Sequence, residues 1–230
     1  MQILALETST EHGGCALWRD GVVLESACPD GRSHSETLLP LVRELLARAG
    51  TTVNALDGIA FGVGPGAFTG LRVACGAAQG LALAADLPLL PVTSLECMAA
   101  ASGGSQVLSL LDARMGEVYA AAYRNADTSP VLIDEIRVIP PAELVWQESG
   151  AGWLACGNAL AAYPAVAERL LSAGFALQAD VLPQAAWVAR LAVPRLLAGE
   201  VIDPALAAPL YVRDKVAKTV AERLREGGRA

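Results

Sequence analysis

Along the first half of this chain, short apolar runs alternate with stretches in which apolar positions recur every three or four residues. Runs of the first kind read as strands and stretches of the second kind as helices. Residues 3–7 form a candidate strand. Residues 15–19 and 22–26 form two more, joined at Asp20-Gly21, a strong signal for a two-residue hairpin. A helix should follow, because Ser33 and Glu36 have capping-box spacing and Gly50 suits the position after the helix end. Pro40 falls inside it and predicts a kink or loosened first turns. A strand over 57–63, a helix ending near Ala85, a strand over 87–92 and a short helix over 94–101 capped by Ser94 complete this half. Ser102-Gly103-Gly104-Ser105 is the best linker candidate.

This order, β-β-β-α-β-α-β-α, predicts an α/β fold with a mixed sheet of the ribonuclease-H-like type. After the linker the order partly recurs. A hairpin is expected over 106–113 and 118–124, a third strand over 131–138 and a helix over 141–148. A strand over 153–156 and helices over 158–173 and 184–199 follow, the last with a kink at Pro194. Two related subdomains facing each other, 1–103 and 104–210, with a basic tail or helix over 211–230, are the expected organisation.

The densest pattern runs from Ile59 to Asp86. An apolar strand ends in a loop containing Gly62, Gly64 and Gly66, and a helix of small residues follows. Pro65-Gly66 reads as a type II turn with φ > 0 at the glycine, and Thr69 as the helix cap. Gly76 and Gly80 each weaken the helix by about 1 kcal/mol relative to alanine, which suggests that another backbone comes close. The preceding helix is unusual in the opposite sense. Leu38, Leu39, Leu41, Val42, Leu45, Leu46 and Ala49 spread over roughly 160°, wider than one sheet requires. Burial on two sides within its own domain and packing against a partner both account for that width.

Composition narrows the class. The chain is 53% hydrophobic and 18% charged, which excludes disorder and supplies a sizeable core. A net charge of −7 argues against a protein that grips nucleic acid alone, since phosphate neutralisation needs basic surface. Basic groups concentrate only in the tail, where Arg213, Lys215, Lys218, Arg223, Arg225 and Arg229 outnumber Asp214, Glu222 and Glu226. A solvated terminal helix is the plainer reading and an RNA contact the sharper one. The five cysteines are widely spaced without CxxC, as expected of reduced thiols. No signal-like leader occurs and no apolar run approaches the roughly 18–20 residues of a membrane span, so a soluble cytoplasmic protein is expected.

Candidate chemistry is sparse. The glycine loop formally matches GxGxxG, but the acidic residue that should end the next strand is Asp86, which precedes it. No P-loop and no GxSxG elbow occurs. His12 and His34 are the only histidines, too few for a metal site, and His34 suits a helix start or an interface. Glu7 and Asp112 end the first strands of the two halves. Each is followed by a polar or tight segment (Thr8, Ser9, Thr10; Ala113, Arg114) suited to binding phosphate. Carboxylates that merely cap strand-end loops account for them equally well.

ALETST, GRSHSETLLP and IAFGVGPGAFTGLRVACGAAQGLALAADLPLLPVTSLE, in this order and spacing, resemble the bacterial TsaB family; LLDARMGEVYAAAY, ACGNAL and PLYVRDKVA extend the likeness. The resemblance implies two ribonuclease-H-like subdomains of the actin-like ATPase superfamily. It implies a role in forming threonylcarbamoyladenosine next to the anticodon of tRNAs that read ANN codons, without catalysis by this chain itself. It also implies pairing with a homologous catalytic subunit, TsaD, joined by the ATPase TsaE, with tRNA reached only through the complex and a homodimer when the partner is missing. No metal or cofactor is expected for this chain, with ATP or ADP a candidate ligand of the complex. Ser94 and Met98 stand where the catalytic paralogue carries its metal-binding histidines, and neither replaces an imidazole. The implied partner surface comprises His34, Leu38, Leu41, Val42 and Leu45 with Thr69, Arg72, Val73, Gly76, Ala77 and Gly80. The competing reading is a nucleotide-binding or weakly ATP-hydrolysing protein using Glu7, Thr8, Ser9, Thr10, Asp112 and Arg114.

Overall fold

A computed structural model describes residues 1–125, 129–146 and 150–213. The first sheet has the order β3-β2-β1-β4-β5. Strands β1 (Gln2–Glu7), β2 (Gly14–Arg19) and β3 (Val22–Ala27) form an antiparallel meander, and β4 (Gly58–Gly64) and β5 (Leu89–Thr93) add in parallel. The hairpin turn sits at Asp20-Gly21, where φ is positive at both residues (48° and 93°), as its twist requires. Strand β1 is apolar throughout because both of its faces are covered. Leu4 and Leu6 face helices α1 (His34–Arg48) and α2 (Phe68–Ala85), while Ile3 and Ala5 face the other layer.

Helix α1 starts after Ser33, but the Ser33 hydroxyl meets Ser35 Oγ at 2.7 Å and does not cap the helix. Its end matches expectation, with Gly50 at φ 62°. The helix continues through Pro40. Helix α2 is capped at Ala67, one turn-start earlier than the expected Thr69, which lies inside the helix. It is also long and apolar enough by composition to cross a membrane, contrary to the expectation that no run approaches that length, and here it packs along β4. Helix α3 (Ser94–Ser102) is capped by Thr93, whose hydroxyl accepts from Glu96 N at 3.2 Å; the expected cap, Ser94, is its first residue.

The second sheet has the order β11-β10-β6-β7-β8, with β9 also on β7. Strands β6 (Gln106–Asp112) and β7 (Val118–Asn125) are the expected hairpin, and β10 (Trp153–Cys156) is the expected parallel strand. The single strand expected over 131–138 is two short ones, β8 (Pro130–Leu132) and β9 (Arg137–Ile139), which share β7 as neighbour. Of the helix expected over 141–148, the described part (141–146) holds only a 3-10 turn, Pro141–Glu143, whose carbonyls the Arg169 guanidinium caps, with Nη2 2.5 Å from Pro141 O. The helix expected over 158–173 is split at Tyr163, because Pro164 starts a new helix; α4 (Ala159–Ala162) and α5 (Pro164–Ser172) result. Strand β11 (Ala176–Gln178) was too short and too polar to read from sequence.

Helix α6 (Ala185–Ala198), also continuous through its proline, does not join the second sheet. It packs on β1, β2, β4 and β5, where Ala185, Ala186, Val188, Ala189 and Ala192 close the second face of the first sheet. Segment 104–210 is therefore not one packing unit. From α6 the chain returns along the first subdomain, where Ile202 bridges Leu89, and continues to Arg213. Apart from Tyr211–Arg213, the basic tail over 211–230 lies outside the described residues.

Candidate functional site

The glycine loop folds onto the turn after β1. The residue with positive φ is Gly64 (111°), not Gly66, so the expected type II turn at Pro65-Gly66 is absent. What Gly62, Gly66 and Gly70 provide is space. A Cβ on Gly62 would lie 1.9 Å from Glu7 Oε2, on Gly66 2.4 Å from Ser9 O, and on Gly70 1.8 Å from Thr8 O. The Thr8 hydroxyl donates to Gly70 O at 2.7 Å, and Ala67 N donates to Ser9 O at 2.7 Å. Thr8 is thus consumed in joining β1 to α2, while Glu7 packs against Gly62 of β4.

Glu7 is buried, and burial raises its carboxyl above the ordinary range, partly offset by hydrogen bonds from Ser9 and Thr8 and by nearby His34. Oε1 accepts from Ser9 N at 2.5 Å, while Oε2 has no hydrogen-bond partner among the described residues. Below the unfolded-state pKa both states hold the proton. Above it the unfolded chain releases the proton first, so stability falls with rising pH until the raised folded pKa is passed. Glu7→Gln removes that loss. Its melting temperature relative to wild type is expected to climb as pH rises above the ordinary carboxylate value of 4.5; a difference independent of pH would refute the assignment.

Ser9 and Thr10 line one wall of a cleft of about 230 Å³, with Asp112 and Arg114 on the other. Asp112 Oδ1 accepts from Arg114 N and Tyr163 OH, each at 2.9 Å. The Arg114 guanidinium reaches Asp112 (3.4 Å) and, across the cleft, Glu11 (3.7 Å). Of the six residues expected to hold a nucleotide, four therefore share a cleft, whereas Glu7 and Thr8 do not line it. Sequence reasoning missed Leu210, Tyr211, Val212 and Arg213, which line it as well. A nucleotide, the ligand the actin-like fold implies, does not fit. The volume is below the roughly 300–1,000 Å³ of ligand pockets. Four backbone donors on its walls are also already used: Ser9 N on Glu7, Ala67 N on Ser9 O, Ala113 N on Glu117 O and Arg114 N on Asp112.

The expected partner surface divides into buried and open parts. Leu38, Val42 and Leu45 are wholly inside the core between the helices and the first sheet, so they are not contact residues; the wide apolar arc of α1 is mostly accounted for within its own subdomain. Leu41 is half-buried at the edge of that core, and Leu39 points outward at 51% exposure. His34 is turned inward, with Nε2 2.9 Å from Thr10 O. On α2, Thr69, Arg72, Gly76 and Gly80 are exposed and Val73 and Ala77 half-exposed. A Cβ on Gly76 or Gly80 would meet nothing within 4 Å, so no backbone among the described residues accounts for those glycines. At one end of this ridge Arg72 stacks on Phe68, with Cζ 3.5 Å from the ring centroid. Ser94 and Met98 are both fully buried, and no cluster of three metal-ligating side chains occurs among the described residues.

Two α/β subdomains with the same strand order, on either side of a cleft, define the class as actin-like ATPase in fold. The family model for TsaD, tRNA N6-adenosine threonylcarbamoyltransferase, matches residues 20–219. The Escherichia coli tRNA threonylcarbamoyladenosine biosynthesis protein TsaB is 35% identical over 94% of this chain and 96% of its own length; the Haemophilus influenzae protein of the same description is 34% identical over 94% and 95%. The structure of YeaZ from Pseudomonas aeruginosa is similar at TM-score 0.83 and 37% identity, covering 91% of this chain and 99% of that one. A second P. aeruginosa crystal structure, of a protein described as similar to peptidase YeaZ, gives TM-score 0.84 and 38% identity over 92% and 99%. This chain belongs to the TsaB family.

Proposed function

We propose that this protein works in the biosynthesis of threonylcarbamoyladenosine in tRNA, as a non-catalytic subunit that docks a TsaD-like catalytic chain and is joined by a TsaE-like ATPase. The tRNAs served are those reading ANN codons, and tRNA is met through the assembled complex. The observation that carries this reading is the open ridge Thr69, Arg72, Val73, Gly76, Ala77, Gly80 on α2. Glycines in mid-helix cost stability, and among the described residues no neighbour requires them. A partner helix lying on them could approach at or below the usual 8–10 Å between axes. In the absence of the partner the same ridge would pair two copies of this chain. The protein is assigned to the cytoplasm and to no membrane.

The test is reconstitution with the TsaD and TsaE homologues of the same organism, followed by nucleoside analysis of the tRNA. The chain alone is expected to form no modified nucleoside and to hydrolyse ATP negligibly, while omitting it from the mixture should abolish the product. Robust ATP turnover by the isolated chain, or full modification without it, would overturn the proposal.

A further inference from the structure

The cleft is small for a nucleotide, and the end of the described chain lines and narrows it. The segment after α6 is anchored first on the first subdomain. Ile202 exchanges backbone hydrogen bonds with Leu89 (2.9 and 3.1 Å), Gln79 Nε2 donates to Pro204 O at 2.7 Å, and Leu210 N donates to Val63 O at 2.8 Å. The Tyr211 ring then sits 5.8 Å from that of Phe68, at the start of α2. Over the next two residues the chain crosses to the second subdomain. Val212 packs into the core formed by α3, β6 and β7. Arg213 Nη2 donates to Ala113 O at 3.0 Å and pairs with Glu117, and Nη1 meets Met115 Sδ at 3.5 Å. One short strap is therefore fastened to both walls of the cleft that it lines.

We propose that Leu210–Arg213 is a resident occupant of this cleft, an internal ligand that takes the place of a nucleotide and holds the two subdomains together. The chemistry is consistent throughout. Within the cleft Arg114 answers the carboxylates of Glu11 and Asp112, while Glu117 beside it favours a second guanidinium. Arg213 supplies one in a charge-assisted pair that is 17% exposed at Arg213 and 33% at Glu117. The carbonyl of Ala113, in the tight turn after β6, accepts from the same Nη2 that pairs with Glu117. This inference stands whether or not α2 docks a partner.

The experiment compares the full-length wild type with Arg213→Ala by hydrogen exchange and titrates both with ADP, with and without Mg²⁺. Wild type is expected to show no saturable heat with millimolar ADP. In Arg213→Ala the amides of Leu210, Ala113 and Glu117 should exchange faster by on the order of tenfold, while those of β1 and β4 stay unchanged. Glu117→Gln cuts the same pair from the other side and should loosen the same amides, which keeps the test decisive should Arg213→Ala fold poorly. Saturable ADP binding by the wild type, or exchange unaltered in both variants, would overturn the proposal.

Discussion

Gly70→Ala is expected to cost about 3 kcal/mol or more, at the upper end for overpacked sites, and to lower the melting temperature by roughly 10 °C. The added methyl would sit 1.8 Å from Thr8 O and 3.0 Å from Thr8 C, atoms of a backbone fixed by β1 on one side and by the Thr8–Gly70 hydrogen bond on the other. No rotamer change relieves such a clash. Gly76→Ala, six residues along the same helix, meets nothing within 4 Å. It should gain about 1 kcal/mol from helix propensity alone. Thermal melts of the pair check this. Equal shifts for both substitutions would mean that the joint between the glycine loop and the β1 turn is wrongly placed.

The second large effect separates folding from docking. Leu45→Asp places a carboxylate at a fully buried position and should cost about 4 kcal/mol or more, from the lost apolar packing and the desolvated charge together. That is a large part of the roughly 5–15 kcal/mol by which domains are stable, so the isolated protein should be poorly soluble or partly unfolded. Loss of pairing by this variant would say nothing about an interface. Gly76→Arg addresses the interface directly. The residue is exposed, has open space and exchanges glycine for a good helix former, so the melting temperature should hold or rise. If the α2 ridge docks the partner, a guanidinium there should abolish co-elution with the TsaD homologue in size-exclusion chromatography. Co-elution that survives both Gly76→Arg and the neighbouring Ala77→Asp would move the docking surface elsewhere.

These two comparisons also mark where sequence reasoning succeeded and where it stopped. The order of elements through α3 could be read almost entirely, as could the Asp20-Gly21 hairpin, the start of α1 after Ser33 and its end at Gly50. Each depends on local periodicity and turn chemistry within a few residues. The duplicated topology was legible for the same reason, since a hairpin followed by alternating helices and strands repeats in outline even where the residues do not. The weak places were segments of mixed polarity, such as 131–148, where two short strands and a 3-10 turn stand in place of a strand and a helix. There the pairing with β7 and the capping by Arg169 decide the outcome, and neither partner is near in sequence.

What the chain determined by itself is its set of strands and helices and the presence of glycines that no ordinary helix needs. Only the tertiary structure decided what each glycine is for. In the same loop-and-helix stretch, Gly62, Gly66 and Gly70 make room for Glu7, Ser9 and Thr8, which lie some sixty residues earlier, while Gly76 and Gly80 face open space. It likewise decided that Leu38, Val42 and Leu45 belong to the core, that α6 covers the first sheet, and that Arg213 lines the cleft shared by Ser9, Thr10, Asp112 and Arg114. The physical reason is common to all of them. Periodicity tells which residues share a face, but what that face meets is set by contacts between segments far apart in the chain, and steric fit and hydrogen-bond satisfaction act only once those segments are brought together.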